Sequence, residues 1–428
     1  MGSYYDKFRS WVYSGTVKDT TILFIGNSLS AFWGFLFTLI VARSFSLADF
    51  GVFSAALNLV NIFTSLSDIG ISSGSVNFVA EHLAKGDKQK ADEYIKASFL
   101  IRLLVVFALS VLVILFAPFV ASRLLATRNP VIAIWVAVLP IFWFPDMFFP
   151  NILQAKRKFL HSTIYDNSFY IARLLFVFIF YLAGMLTMSY AFWAFATGFA
   201  VNVIFTFIYV RIDFIRSAPS KDEYRNLLKF SGWIGVNRII SSISGRLDIT
   251  MLAAMVGAVA TGLYSIPSRL ATFILVLGGS YSSVLATRLA GFGDRAKEKV
   301  YIIKSTLATI PFALGVVLWI ILAGPFIHFL FPMRYWTSVP IFQALAAAQI
   351  PFLFTVPPVS AIIYSMKKTV FIGVYSFFQI AAIFFLNFVL IPKYGPYGPT
   401  ITYAVTNIIL AIYTWCIVIK HYWFEKVD

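Results

Sequence analysis

The sequence predicts an all-α, polytopic membrane protein with about twelve transmembrane helices in two six-helix bundles. Three observations predict it. Of the 428 residues, 60% are apolar and only 12% are charged, against roughly 45–50% and about 25% in soluble domains. So few charges cannot cover the core of a soluble protein of this size. Apolar runs of about 20 residues, long enough to cross a bilayer, recur along the chain. Basic residues gather in alternate connections between those runs.

Residues 1–19 come first. Tyr4, Tyr5, Phe8, Trp11 and Val12 recur at helical spacing around Asp6, Lys7 and Arg9, the pattern of an amphipathic interfacial helix. No small-residue cleavage site follows a short apolar core, so no removed signal peptide is expected. The N-terminal bundle, 20–210, is expected to hold spans 20–43, 49–72, 97–122, 131–153, 160–184 and 188–210. A basic cytoplasmic linker at 211–230 follows. The C-terminal bundle, 231–420, is expected to hold spans 231–256, 259–285, 305–331, 338–364, 368–391 and 396–420, before a cytoplasmic tail at 421–428. Connections as short as 185–187 and 257–258 make their neighbours antiparallel hairpins.

Charge orients this map. With both ends cytoplasmic, 24 of the 34 Lys and Arg residues fall on the cytoplasmic side. Only Arg43, Arg123, Arg128, Arg334 and Lys393 fall outside. That asymmetry is the positive-inside pattern, and it accounts for the net charge of +16 without nucleic acid. The lone cysteine, Cys416, excludes an intramolecular disulfide. His82, His161, His328 and His421 are scattered without metal-ligand spacing, so no metal site and no cofactor are expected. No loop is long enough for a soluble domain, which places the function inside the bilayer.

The two halves resemble each other. Ile25-Gly26-Asn27-Ser28 is echoed by Ile234-Gly235-Val236-Asn237, and Phe50-Gly51-Val52-Phe53-Ser54 by Thr261-Gly262-Leu263-Tyr264-Ser265. Paired six-helix repeats of this kind bind substrate where the halves meet.

Five cations fall inside the spans: Arg102, Arg173, Arg238, Arg246 and Arg269. Each costs about 2.5–3.5 kcal/mol at a bilayer centre. Arg102, near a span end, is expected to snorkel. The others need anions or a wet cavity. All five are Arg, although Lys outnumbers Arg 18 to 16 in the chain. A guanidinium binds phosphate through paired hydrogen bonds and keeps its charge in low dielectric, so these residues suit a diphosphate. The competing reading is that they are internal salt bridges. Asn27, Asn58 and Asn237 add polarity beside them. Asp68, Asp146, Asp166 and Asp248 are the intramembrane acids and the candidate ion-coupling sites. Interior prolines, among them Pro140, Pro145 and Pro150, are expected to kink helices.

Several segments resemble polysaccharide exporters of the Wzx type, which move O-antigen units. Residues 42–54, Ala-Arg-Ser-Phe-Ser-Leu-Ala-Asp-Phe-Gly-Val-Phe-Ser, are similar to that family's first periplasmic turn, with Phe45-Ser46 in place of the usual Leu-Gly. Leu66-Ser67-Asp68-Ile69-Gly70-Ile71, Arg246-Leu247-Asp248 through Tyr264-Ser265, and Ile391-Pro392-Lys393-Tyr394-Gly395 resemble further family positions. The resemblance implies the superfamily of multidrug and toxin extruders and lipid II flippases. It implies two bundles that alternate access, and a polyprenyl-diphosphate-linked oligosaccharide carried from the inner to the outer leaflet of the cytoplasmic membrane. The carried-over cavity residues are Arg238, Arg246 and Arg269, with Arg43 and Arg173 as further candidates. The resemblance also implies counter-transport of a cation such as H+ or Na+, and a polysaccharide polymerase as a functional neighbour. The chain lacks the two extra spans of lipid II flippases. A transporter is therefore expected rather than an enzyme. The alternatives are a drug/organic-cation antiporter of the same fold, or a membrane-embedded glycan enzyme, which the short outer loops and scattered histidines disfavour.

Overall fold

The computed structural model describes residues 15–210, 212–289, 291 and 294–425. The expected interfacial helix lies mostly outside them, and residues 15–19 open the first span. Among the described residues the chain is predominantly helical, with short turns between helices and no strand.

The first helices are α1 (Gly15–Ser44), α2 (Leu47–Asp68), α3 (Ile71–Ala84), α4 (Lys88–Leu115), α5 (Ala117–Leu124), α6 (Pro130–Ala155), α7 (Phe159–Leu182) and α8 (Met188–Phe205). Then come α9 (Lys221–Ser244), α10 (Leu247–Met255), α11 (Ala258–Leu289), α12 (Arg295–Leu330), α13 (Ser338–Ser360), α14 (Thr369–Tyr394) and α15 (Gly398–Ile419). Their ends follow local chemistry. Asp87 caps α4 by accepting the Lys90 N–H at 3.0 Å. Asn129 caps α6 at the Val131 N–H, with Pro130 at the first helical position, where a missing N–H costs nothing. Asp294 caps α12 at the Ala296 N–H, 2.9 Å away. Gly395, at φ 55°, separates α14 from α15.

Ten helices are long and apolar enough to cross a membrane among the described residues. One of these stretches, Thr369–Phe424, contains both α14 and α15. The structure differs from the expected spans in three places. Span 231–256 is a helix that starts at Lys221 and breaks at Gly245–Arg246, and the expected linker 211–230 is helical from Lys221 on. Span 49–72 stops at Asp68, because Ile69 and Gly70 take left-handed backbone angles of 41° and 74°. The chain then continues as α3 through the stretch expected to be a loop. Span 97–122 divides at Phe116. By contrast α6 runs unbroken through Pro140, Pro145 and Pro150.

The chain separates into two compact units. The first comprises residues up to Ser46, Leu59–Ala121 and Arg128–Ile239. The second comprises Leu47–Asn58, Ser122–Thr127 and Ile240 onward. Compared with the bundles 20–210 and 231–420, the division falls about nine residues past 230, and the first half of α2 belongs with the later helices. The reason is close backbone packing. A Cβ at Gly51 would collide with the Ala258 carbonyl, and one at Gly262 with the Leu47 carbonyl, so only glycine lets α2 and α11 approach this closely.

In the first unit α1 lies on α7, α7 on α8, and α6 against α3, α4, α7 and α8. Its core holds Tyr94, Phe144, Phe148, Phe149, Tyr165 and Leu227. In the second, α13 packs between α11, α12 and α15, and α14 against α15.

Candidate functional site

The intramembrane charges form three clusters. The first is built at the break between α2 and α3. Ending α2 at Asp68 leaves its carboxylate one turn before Ser72, whose N–H it accepts at 3.0 Å. Arg102 of α4 approaches the same carboxylate at 3.7 Å. Its guanidinium also donates to the Ser72 hydroxyl at 2.9 Å and the Met147 carbonyl at 3.1 Å. Arg238 of α9 donates to the other carboxylate oxygen. Two guanidinium groups therefore share one carboxylate, which leaves a net positive charge. Their exposures differ: the Arg102 side chain is 2% exposed and that of Arg238 is 49% exposed. Arg102 was expected to snorkel, and it does not. It is buried over the rings of Phe144 and Phe148, where Asp68, Ser72 and Met147 supply acceptors to its Nη1 and its Nε has no hydrogen-bond partner. Of these two, it is Arg238 that presents charge outward.

The second cluster surrounds Arg173 on α7. Its guanidinium carbon lies 4.5 Å from the ring centres of Phe37 and Phe195, 4.9 Å from Tyr170, 5.4 Å from Phe169 and 5.9 Å from Trp143. Five rings around a buried cation form a cage whose faces attract it electrostatically. Its Nε has no hydrogen-bond partner. Asp146 and Asp166 are within electrostatic reach, yet neither comes within ion-pair distance. They have their own donors instead. Trp143 and Asn202 donate to Asp146 at 3.2 and 3.3 Å, and Ser30 donates to Asp166.

The third cluster lies in the second unit. Asp248, 2% exposed, accepts the Tyr264 hydroxyl at 2.8 Å and that of Tyr403 at 3.4 Å. Arg246 sits in the break before α10, not on one continuous helix with Asp248. The Asn58 amide donates to the Arg246 carbonyl and the Thr250 hydroxyl, both at 2.8 Å. Asn58 thus ties α2 to the start of α10, where the Arg246 carbonyl also accepts from the Thr250 hydroxyl at 3.2 Å.

The remaining candidates are more dispersed. Arg43 is exposed at the end of α1, Asn27 is exposed on α1, and Arg269 is half-buried on α11. Asn237 belongs to α9, but its side chain is not among those described. The structure brings Arg238 together with Asp68, Arg173 with Asp146 and Asp166, and Arg246 with Asn58 and Asp248. Arg102 and the aromatic cage are what the sequence reading missed. In the sequence Arg102 reads as a cation near a span end, and Asp68 lies 34 residues away with nothing local to join the two.

The fold is that of transporters in the superfamily of multidrug extruders and lipid flippases. An inward-facing multidrug-resistance MATE family transporter superposes with TM-score 0.74 at 13% identity, covering 95% of this chain and 100% of that one. The lipid II flippase MurJ, in an inward-closed conformation, gives TM-score 0.73 at 17% identity, covering 94% and 87%. A superfamily transporter from Pyrococcus furiosus, described as having a binding pocket of reversed polarity, gives 0.61 at 16% identity, with 95% of each chain covered. In sequence, a candidate O-antigen transporter of Shigella flexneri is 23% identical over 387 residues, covering 87% of this chain and 90% of that protein. Residues 16–290 match the polysaccharide biosynthesis protein family, and the chain belongs to that family. It is a multi-pass membrane protein.

Proposed function

We propose that the chain is a flippase for a lipid-linked glycan. It moves a polyprenyl-diphosphate-linked oligosaccharide, such as an O-antigen unit, from the inner to the outer leaflet of the cytoplasmic membrane by alternating access. Its ends are on the cytoplasmic side, and polysaccharide polymerase machinery receives the product. The observation that carries this reading is the half-exposed Arg238, a guanidinium whose one carboxylate is shared with buried Arg102. A diphosphate is the ligand such a group fits, because two oxygens of one phosphoryl group can accept from it together. Arg246 and Arg269 are the further cations proposed to contact the diphosphate or an anionic sugar.

Binding does not drive net movement by itself, since a ligand shifts an equilibrium only by its differential affinity for two states. Consumption of product or a cation gradient biases the cycle. Asp146 and Asp166 are the proposed coupling acids for H+ or Na+, with Asp248 in the other unit. Asp68 is less suited, because two arginines already engage it.

The superposition on MATE transporters favours a second reading, antiport of organic cations. The aromatic cage that would serve it is filled by the chain's own Arg173, which counts against that reading.

The test is binding of a diphosphate-linked lipid sugar in nanodiscs, with wild type compared with Arg238→Ala and Arg269→Ala. Loss of about 1–3 kcal/mol in each folded variant, the cost of deleting a charged hydrogen bond, is the expected result. Unchanged binding in both would make these arginines braces and remove the support for a diphosphate ligand.

A further inference from the structure

A groove of about 360 Å³ opens between α12 and the last turns of the chain. Its walls are Ile303, Leu307, Trp415, Ile419, Trp423 and Phe424. One polar side chain, Thr306, reaches it, but its hydroxyl is spent on the Ile302 carbonyl at 2.8 Å. The Trp415 indole N–H is likewise spent on the Phe354 carbonyl at 3.1 Å. The walls therefore offer carbon, and any acyl chain suits them. The rim decides the occupant.

At that rim Lys299 stands one helical turn before Ile303, on the same face of α12. Its ammonium lies 4.1 Å from the centre of the Trp423 ring. Lys304 flanks the same stretch, in an adjoining groove with Lys297, Val300 and Tyr301. The carboxylates nearby are engaged elsewhere. Glu298 accepts the Ser365 and Tyr422 hydroxyls at 2.5 and 2.8 Å. Asp294 caps α12 and faces Lys297 at 3.8 Å. Glu425 is held by His421 at 2.5 Å. Among the described residues, no carboxylate comes within ion-pair distance of Lys299 or Lys304. An apolar slot, an amphipathic Trp and one uncompensated ammonium at its mouth, with a second ammonium on the adjacent face of α12, match an amphiphile with a negative head.

We infer that this groove binds an anionic glycerophospholipid of the surrounding bilayer. The phosphodiester sits at Lys299, with Lys304 adding positive potential from the adjacent face of α12, and one acyl chain lies against Leu307, Trp415 and Ile419. The groove shares no lining residue with the arginine clusters and does not depend on what the protein transports.

The test uses the full chain in detergent, titrated with phosphatidylglycerol or phosphatidylcholine of identical acyl chains. Retained lipid is read by native mass spectrometry. Wild type is expected to bind phosphatidylglycerol about tenfold more tightly, as one to two interfacial cations provide. Lys299→Gln combined with Lys304→Gln is expected to abolish that preference. Leu307→Trp, which fills the slot, is expected to reduce retention while leaving both ammonium groups in place. Equal retention of the two lipids by wild type overturns the inference. So does a preference that survives both variants. A third arm adds farnesyl diphosphate. If it displaces phosphatidylglycerol from wild type at equal concentration, the groove belongs to an isoprenoid chain and the inference fails.

Discussion

Asp68, at the break between α2 and α3, closes an ion pair with Arg238 of α9. The same carboxylate serves buried Arg102 and the Ser72 N–H. One acid therefore stabilises a helix start, neutralises a buried cation and restrains a half-exposed one. The consequences of removing each partner differ, because their solvent access differs.

Asp68→Asn leaves Arg102 as an uncompensated buried charge. The expected cost is about 3–5 kcal/mol, as for breaking one side of a buried pair. Arg238→Ala is expected to cost about 1 kcal/mol or less, since Arg238 is itself half-exposed and solvated and Arg102 still faces the Asp68 carboxylate. Thermal unfolding of the two variants in detergent checks the order. An Asp68→Asn variant as stable as Arg238→Ala would show that Ser72 and Met147 suffice to hold Arg102.

Gly235 on α9 lies against the Ile69 carbonyl, where an added Cβ would collide with backbone. At Gly232, one turn earlier on the same helix, a Cβ meets nothing within 4 Å. Gly235→Ala is expected to destabilise by about 1–3 kcal/mol through overpacking. Gly232→Ala is expected to be neutral or slightly stabilising, from helix propensity. The difference between their unfolding midpoints is the readout, and equal midpoints would contradict the contact.

Burial alone would raise the Glu223 carboxyl. Hydrogen bonds from Lys90 and Ser220 outweigh it and hold the group at about 2, below its ordinary 4.5. Lys90 approaches at 2.6 Å. A depressed carboxylate favours the folded state above its unfolded value, and the gain disappears as pH falls through the folded value. Wild type is therefore expected to exceed Glu223→Gln in stability by a constant margin above about pH 5. That margin should shrink from pH 4.5 down toward 2. Unfolding midpoints measured across this range test it, and a margin independent of pH would refute the assignment.

Asp248 accepts one short and one long hydroxyl contact, from Tyr264 at 2.8 Å and Tyr403 at 3.4 Å. Tyr264→Phe is expected to cost about 1.5–3 kcal/mol, the range for a hydrogen bond to a charged group. Tyr403→Phe is expected to cost less, since a contact that long is weak. Denaturation of the single variants ranks them, and the reverse order would mean that Tyr403 is the principal donor.

Much of the candidate site was readable residue by residue. Intramembrane Arg and Asp stand out because hydrophobic neighbours make each one costly. Their partners were not readable. Arg102 was assigned to the surface from its place near a span end, yet Asp68 and Met147 lie on helices that no local spacing connects to α4. Arg246 and Asp248 read as neighbours on one helix. A break at Gly245–Arg246 instead leaves Arg246 as the residue that caps the start of α10, where its carbonyl and the Thr250 hydroxyl accept from Asn58 of α2.

Composition, apolar runs and charge asymmetry determined the membrane class, the approximate helices and the list of charged residues. Those features depend on transfer free energy and on 3.6-residue periodicity, both local in the chain. Only the tertiary structure decided which arginine is buried and which is presented, that the first half of α2 packs with the later helices, and that Arg173 fills an aromatic cage. Each depends on distant residues meeting: a shared carboxylate, a glycine with no Cβ to obstruct a neighbouring carbonyl, five rings from four helices. Such meetings are set by packing of whole helices, which no short window of sequence contains.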